Sequence, residues 1–407
     1  MAGNKIAKPI LLDETGKEIV EKLHTQNMLL NIMAGAAMEG TTSMAEIRKI
    51  VQAGKASEVY NIGDQIVVPW TDIATGQKYE AVADIVSFQN VTLKDGETVP
   101  GMIIQWHYAT PFGVQFDQNE AFYYCAEELT AGTYHITVGA NWGTHCKSGE
   151  TYQFVLTKNV PAGGQLHGFY GMPDQAPANW KVSSYASAQS AEPIETVSVS
   201  VGAQGTDLGS FVPAGTEGLN SLNRLAYGYN RWSQSGIRQW LNSDKGVGQW
   251  WAPQNNYDRA PDQLKTKAGF LTGFDEEFLS CIQPIKVTTA LNTVTDAAVG
   301  DTEDTYDLFF LPSLEQMFIN PQLAGEGEPW DYWKRASGMT SKMQQYGTYP
   351  QIRTFAIENH TSPQNVRLRS AFRGYGGNTW CVYSSGYVNG NRYAVGASRC
   401  APACAIC

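Results

Sequence analysis

Apolar positions change their spacing along the chain, and the changes mark its segments. In the first fifty-odd residues they recur at helical intervals. Ile19, Leu23, Gln26, Leu30, Met33 and Ala37 alternate steps of four and three, which predicts a helix with one seam-like face. That face fits a helix–helix seam or a single amphipathic helix equally well. A second helix is predicted after Ser43, which with Glu46 makes a capping box; Ile47, Ile50 and Val51 form its apolar face and Gly54 its stop. From Val59 the period becomes two. Strands are expected over 65–69, 79–88, 102–107, 113–116, 134–138, 152–156, 180–184 and 196–201, with Thr75-Gly76, Asp95-Gly96 and Ala162-Gly163-Gly164 as turns. Helical spacing returns over 219–225 and over 233–242, the latter capped by Ser233 or Ser235. Further helical or loop segments are expected over 274–281 and 313–318, and the chain beyond Tyr349 reads as extended and turn-rich.

A chain of 407 residues has room for two or three domains and a full core. The net charge of −10, without a lysine or arginine cluster, argues against nucleic acid and anionic membrane surfaces as partners. The longest apolar run, Leu29 to Met38, is too short to span a bilayer, and membrane insertion is not expected. No apolar core of a signal peptide follows the first lysines, so synthesis in the cytoplasm is expected, with release by a route such as lysis.

Candidate chemistry is sparse. The seven cysteines do not space as a disulfide framework; Cys400, Cys404 and Cys407, with Cys381 upstream, read as small buried apolar groups rather than a metal site, since paired CxxC arms and a flanking histidine are missing. The six histidines form no spaced pair, and Asp275-Glu-Glu and Asp301-Thr-Glu-Asp read as solvated acidic loops. A nucleophile elbow, a phosphate loop, a dinucleotide fingerprint and an HExxH motif are all missing, so catalytic residues, cofactor and metal are not expected. The plentiful tyrosine, tryptophan and glycine suit a binding surface: rigid amphipathic rings on adaptable loops.

Four stretches in order carry a resemblance. They are Asn61-Ile-Gly-Asp-Gln-Ile-Val-Val, Trp232-Ser-Gln-Ser-Gly-Ile-Arg-Gln-Trp-Leu-Asn, Asp307-Leu-Phe-Phe-Leu-Pro-Ser-Leu-Glu-Gln-Met, and Leu368-Arg-Ser-Ala-Phe-Arg with Ser398-Arg-Cys-Ala-Pro-Ala-Cys. The set resembles C-type-lectin-fold proteins of the formylglycine-generating-enzyme-like type, and its last part resembles the variable region of phage diversity-generating-retroelement proteins. The resemblance implies an α+β fold: a C-type-lectin-like domain over 57–120 and 206–407, an N-terminal helical segment over 1–56, and, where the pattern fits least, a small inserted β-sandwich over 121–205. Trp142, His145, Trp180 and Tyr185 of the insert read as its core and loop aromatics. The implied function is that of a receptor-binding tail protein in the virion. Its expected partners are a host cell-surface protein or glycan and other tail proteins, and it is expected to form a homotrimer through the N-terminal helices. A bacterial lectin-like adhesin and an oxidative enzyme of the formylglycine-generating kind are the alternatives.

Retroelement diversification alters adenines, and from its favoured AAY codons Lys, Gln, Glu, Met and Trp are unreachable. Residues 370–407 contain no Lys, Gln, Glu or Met and one Trp. The ligand-binding set expected from this region is Phe372, Gly374, Tyr375, Gly377, Asn378, Cys381, Tyr383, Tyr387, Asn389, Asn391, Arg392 and Tyr393. Tyr375, Asn378, Tyr383, Tyr387, Asn391 and Tyr393 are expected to be exposed on one face, over a buried scaffold that includes Trp380 and Cys404.

Overall fold

The computed structural model describes residues 43–139, 148–167, 181–183, 193–196, 199–211, 222–336, 341–349 and 355–407. The expected seam over 19–37 and the aromatics Trp142, His145, Trp180 and Tyr185 lie outside them.

Helix α1 (Met44–Gln52) begins at the capping box. The Ser43 hydroxyl accepts the Glu46 N–H, and the Glu46 carboxylate accepts the Ser43 N–H at 3.0 Å. Ile47, Ile50 and Val51 are buried, and Gly54, at φ +69°, ends the turn in a conformation that favours glycine. A short helix α2 (Ala56–Val59) leads to the strands β1 (Gln65–Val67), β2 (Trp70–Asp72), β3 (Gln77–Tyr79), β4 (Val82–Thr92), β5 (Thr98–Trp106) and β6 (Val114–Gln115).

The chain then makes an excursion through β7 (Tyr123–Tyr124), β8 (Gly132–Val138), β9 (Thr151–Leu156), β10 (Gln165–His167), β11 (Lys181–Ser183), β12 (Pro193–Thr196), β13 (Val199–Val201) and β14 (Thr206–Phe211). It returns through α3 (Leu222–Tyr227) and α4 (Gly236–Leu241), the latter N-capped by Ser235. Helix α5 (Glu276–Cys281), strands β15 (Ile285–Ala290), β16 (Thr302–Asp307) and β17 (Phe309–Phe310), and helix α6 (Asp331–Ala336) follow. The remaining strands are β18 (Val366–Ala371), β19 (Asn378–Val382), β20 (Val388–Tyr393), β21 (Ala397–Ser398) and β22 (Ala403–Ile406). The result is an α+β chain dominated by strands in several small sheets.

The main sheet runs β1-β4-β5-β22-β17. Its core joins Trp70, Trp106, Trp240, Phe270, Trp330, Trp333 and Trp380 with the last strand. The excursion contains two four-stranded sheets, β12-β11-β10-β7 and β13-β9-β8-β14. Both contribute to a separate cluster that includes Tyr134, Ile136, Tyr152, Phe154 and Leu166, with Leu225 of α3 closing it. Strand β14 pairs parallel to β8, so these sheets continue to residue 211, past the expected end at 205. The two ends of the excursion lie side by side. Glu120 N–H donates to the Arg224 carbonyl at 3.1 Å, and the Asn119 amide donates to the Leu225 carbonyl at 3.1 Å. Such adjacency is the geometry of an insertion into a loop. Of the two segments expected as helix or loop, the first holds helix α5 and the second, over 313–318, is a run of turns. Pro312 precedes it, and Phe318 adopts φ +59°, which breaks any helical continuation.

Carboxyl groups crowd this root: Asp117, Glu120 and Asp258 are all buried. Burial pushes the Asp258 carboxyl up to about 8, with the charge of Glu120 adding to the rise and the Gln254 N–H opposing it. Burial also drives Asp117 well above the carboxylate range. In an unfolded chain such groups ionise near pH ~4. The folded state therefore holds more protons across the window from about pH 4 to 8, and stability should fall as pH rises through it. Asp258→Asn keeps the acceptor for Gln254 N–H, bonded at 2.8 Å, and removes the ionisation. Its melting temperature is expected to exceed the parent's at pH 8 and to vary less between pH 5 and 8. Parallel melting curves for variant and parent across that range would show that Asp258 does not control the effect.

Candidate binding surface

Strands β18, β19 and β20 form a three-stranded sheet with β19 at its centre. Its strands read as apolar or small residues interrupted by arginine and asparagine, and the buried arginines explain how such a sequence packs. Arg367 and Arg369 are fully buried. Arg369 donates to the carbonyls of Leu311 (2.8 Å), Thr288 (3.0 Å) and Glu326 and to the Gln316 side chain (2.6 Å). Arg367 donates to the Tyr393 carbonyl (3.1 Å), the Gly396 carbonyl and the Thr379 hydroxyl. Burial lowers both guanidinium groups to about 10. Each arginine thus fastens strand β18 to the loops around it.

On one side of β19 lies the indole of Trp380, which is 0% exposed. Phe372 stands edge-on to it at 5.3 Å, and Tyr346 is tilted against it at 5.4 Å. Tyr375 stacks on Phe372 at 5.3 Å with an 18° interplanar angle. Gly390 of β20 makes room for this layer, since a Cβ there would lie 2.2 Å from the Phe372 ring. The outer rings are open to solvent: Tyr375 is 48% exposed, Tyr346 43% and Tyr387 39%. Partial burial, and then the nearby Tyr387 and Tyr375, raise the Tyr346 phenol above its ordinary range. The three tyrosines form one neighbourhood of rings with hydrogen-bonding tips, over an aromatic floor of Phe372 and Trp380.

The expected residues fall into three groups. Gly374, Tyr375, Tyr387 and Asn391 are exposed, with Phe372 half-buried beneath Tyr375. Tyr383, Arg392 and Tyr393 are half-buried and held elsewhere. Tyr393 stacks on Tyr227 of α3 at 4.0 Å, Arg392 donates to the Ser398 hydroxyl at 2.9 Å, and Tyr383 donates to the Asn391 carbonyl at 3.3 Å. The half-buried Asn389 closes a local turn, its side-chain oxygen accepting the Asn391 N–H at 2.8 Å. Three residues are buried instead of displayed: Gly377, Asn378 and Cys381. A Cβ at Gly377 would lie 2.9 Å from the Gly228 carbonyl oxygen, so this glycine serves the approach of α3. Asn378, 3% exposed, donates to the Asn391 side chain at 3.0 Å, and its carbonyl accepts the Asn230 amide at 2.7 Å. Cys381 is 0% exposed, and burial pushes its thiol up to about 11. Trp380 and Cys404 are buried as expected.

Tyr346 was not among the expected residues. It sits in a turn far upstream with φ +62°, and only the pairing of its loop with the β19–β20 turn, through Tyr349 N–H to the Gly386 carbonyl (2.6 Å) and Val388 N–H to the Gly347 carbonyl (3.0 Å), brings it to the patch. Its flanking Gly347 is a turn signal but says nothing about the destination.

The other candidate groups have structural roles. Asp275 caps α5 by accepting the Phe278 N–H at 2.8 Å. In the second acidic stretch, Glu303 pairs with Arg231 (2.8 Å) and Asp304 with Lys286 (2.8 Å). Burial pushes the Cys400 thiol up to about 12 and Cys404 well above its ordinary range, the reverse of an activated thiolate. Among the described residues, three or more His, Cys, Asp or Glu side chains do not gather into a metal-binding group, and none of the helices is long and apolar enough to cross a membrane.

Neither a curated protein nor a solved structure matches the chain. Residues 216–407, which include the whole three-stranded sheet and its aromatic patch, match the model of a family described as a domain of unknown function, DUF6273.

Proposed function

We propose that this chain is a receptor-binding protein of a phage tail. A C-type-lectin-like scaffold carries a diversified surface that attaches reversibly to a host cell-surface protein or glycan. The observation that carries the reading is the separation of display from support at β19. Tyr375, Tyr387 and Asn391 are exposed, while Trp380 and the buried arginines below them hold the sheet. Side chains free of the core can change without loss of the fold, and tyrosine rings supply contact area at low entropic cost. The absence of Lys, Gln, Glu and Met from residues 370–407 agrees with change at adenines. Among the described residues, one core gathers side chains from Ile47 to Phe116, α1 included, and from Trp232 to Cys407, while the excursion is rooted in a loop, which suits a lectin-like domain with an insert. Assembly as a homotrimer among other tail proteins would multiply weak single-site attachment.

Sequencing the gene across independent lineages that carry it tests this reading. Substitutions should concentrate at the codons of Tyr375, Tyr387 and Asn391 and spare Trp380, Arg369 and Cys404. Changes spread evenly along the chain would overturn diversification of this surface.

A further inference from the structure

A second groove, of about 750 Å3, opens beside the edge strand β1 and is lined by none of the aromatic-patch residues. One element of its wall is held in an unusual conformation. His360 adopts φ +59°, a left-handed geometry rare for a residue with a side chain, yet it is exposed. Its N–H donates to the Ala356 carbonyl at 2.7 Å, and the Asn359 side chain accepts the following N–H groups of Thr361 (3.1 Å) and Ser362 (2.9 Å). The loop so fixed lays the imidazole flat on Tyr108, with ring centres 4.0 Å apart and planes at 4°. Tyr108 is braced in turn. His107 stands edge-on to it at 4.7 Å, the Asp84 carboxylate holds His107 at 2.8 Å, and the Gln65 amide donates to Asp84 at 2.9 Å. Backbone strain maintained at an exposed, pre-stacked ring pair marks a place where the ring itself is wanted.

The groups around this platform define what fits it. Gln77, Glu80 and Tyr79 line the groove with amide, carboxylate and phenol. Lys78 is the single lysine or arginine in the lining, and Glu358 is neutralised by Arg399 at 2.7 Å. A phosphorylated or otherwise anionic ligand would lack a cationic clamp here. A ligand with one flat C–H face for the ring and a rim of hydroxyls for the Gln77 amide and the Glu80 carboxylate matches the ring and polar groups, and its C–H edges suit Val67, Val82 and Ile357 of the same lining. We propose that this groove is a second binding site, for a neutral sugar ring seated on the Tyr108–His360 pair. The site is independent of the tyrosine patch.

The test titrates the full chain with lactose and with cellobiose, followed by saturation-transfer NMR and calorimetry. At least one disaccharide is expected to bind in the millimolar range. His360→Gly should weaken it tenfold or more while leaving the melting temperature unchanged or raised, because glycine adopts φ +59° freely. The double variant Tyr375→Ser, Tyr387→Ser should bind the sugar as the parent does. Failure of both disaccharides to bind the parent, or undiminished binding by His360→Gly, would overturn the proposal. So would loss of sugar binding in the tyrosine double variant, which would place the sugar on the other surface.

Discussion

Trp380→Ala is expected to unfold the C-terminal sheet or leave it barely stable, while Tyr375→Ser together with Tyr387→Ser changes the melting temperature little. The indole is fully enclosed and is the floor on which Phe372 and Tyr346 rest. Truncating a buried tryptophan costs about 3–5 kcal/mol through lost burial and the cavity left behind. That is a large share of a typical folding stability of about 5–15 kcal/mol. The two tyrosines are 48% and 39% exposed, and exposed substitutions usually stay within about 0.5 kcal/mol. Loss of the Tyr375–Phe372 stack adds about 0.5–1.5 kcal/mol. Thermal melts of the two variants, with attachment to the target surface measured in parallel, separate scaffold from display. Attachment should vanish in the folded tyrosine variant. If that variant melts as low as Trp380→Ala, the tyrosines support the core.

The second large effect is expected at the root of the excursion. Glu120→Ala removes the carboxylate that pairs with the Arg224 guanidinium, which is 1% exposed. Removing one member of a buried pair costs about 3–5 kcal/mol, whereas replacing both members by apolar residues is often near neutral. Arg224 also lies 3.3 Å from the centre of the Tyr229 ring, a contact that cannot replace a full negative charge. Glu120→Met with Arg224→Met should therefore be markedly more stable than Glu120→Ala in urea unfolding. Equal losses in the two variants would mean that the missing Glu120 charge beside buried Arg224 is not what destabilises the single variant.

Local signals in the sequence were legible where the physics is local. The Ser43–Glu46 box, the apolar face of α1 and the Gly54 stop need only four or five neighbouring residues, and each is found as expected. Strands β8 and β9 alternate buried positions with half-buried or exposed ones as their period-two pattern indicates. The candidate surface was legible only in outline. The glycine- and tyrosine-rich composition pointed to residues 372–393, but not to which side chains face outward. Asn378 looks like its display neighbours in sequence, yet its carbonyl is claimed by Asn230, a residue of a different segment. The burial of Arg367 and Arg369 has no local sequence signal, because the carbonyls that make it tolerable come from Leu311, Thr288, Glu326 and Tyr393. Tyr346 reaches the patch through loop pairing that leaves no periodic trace.

The main sheet also constrains when the protein can become itself. Strand β22 lies between β5 and β17 rather than at an edge. Gln105 reaches the Ala401 carbonyl 296 residues further on. Arg48 of α1 donates to the Cys407 carbonyl at 3.0 Å. During synthesis β4 and β5 therefore emerge long before their central partner exists, and the flank of β5 stays open while the excursion and the tyrosine-bearing sheet are being made. Loop closure on this scale is slow, and an open strand flank invites pairing with another chain. The strands of the excursion pair with one another and not with β22, so their pairing does not depend on that arrival. The core of the main sheet has to be completed last, all at once, around a strand that arrives with the final stretch of this sequence.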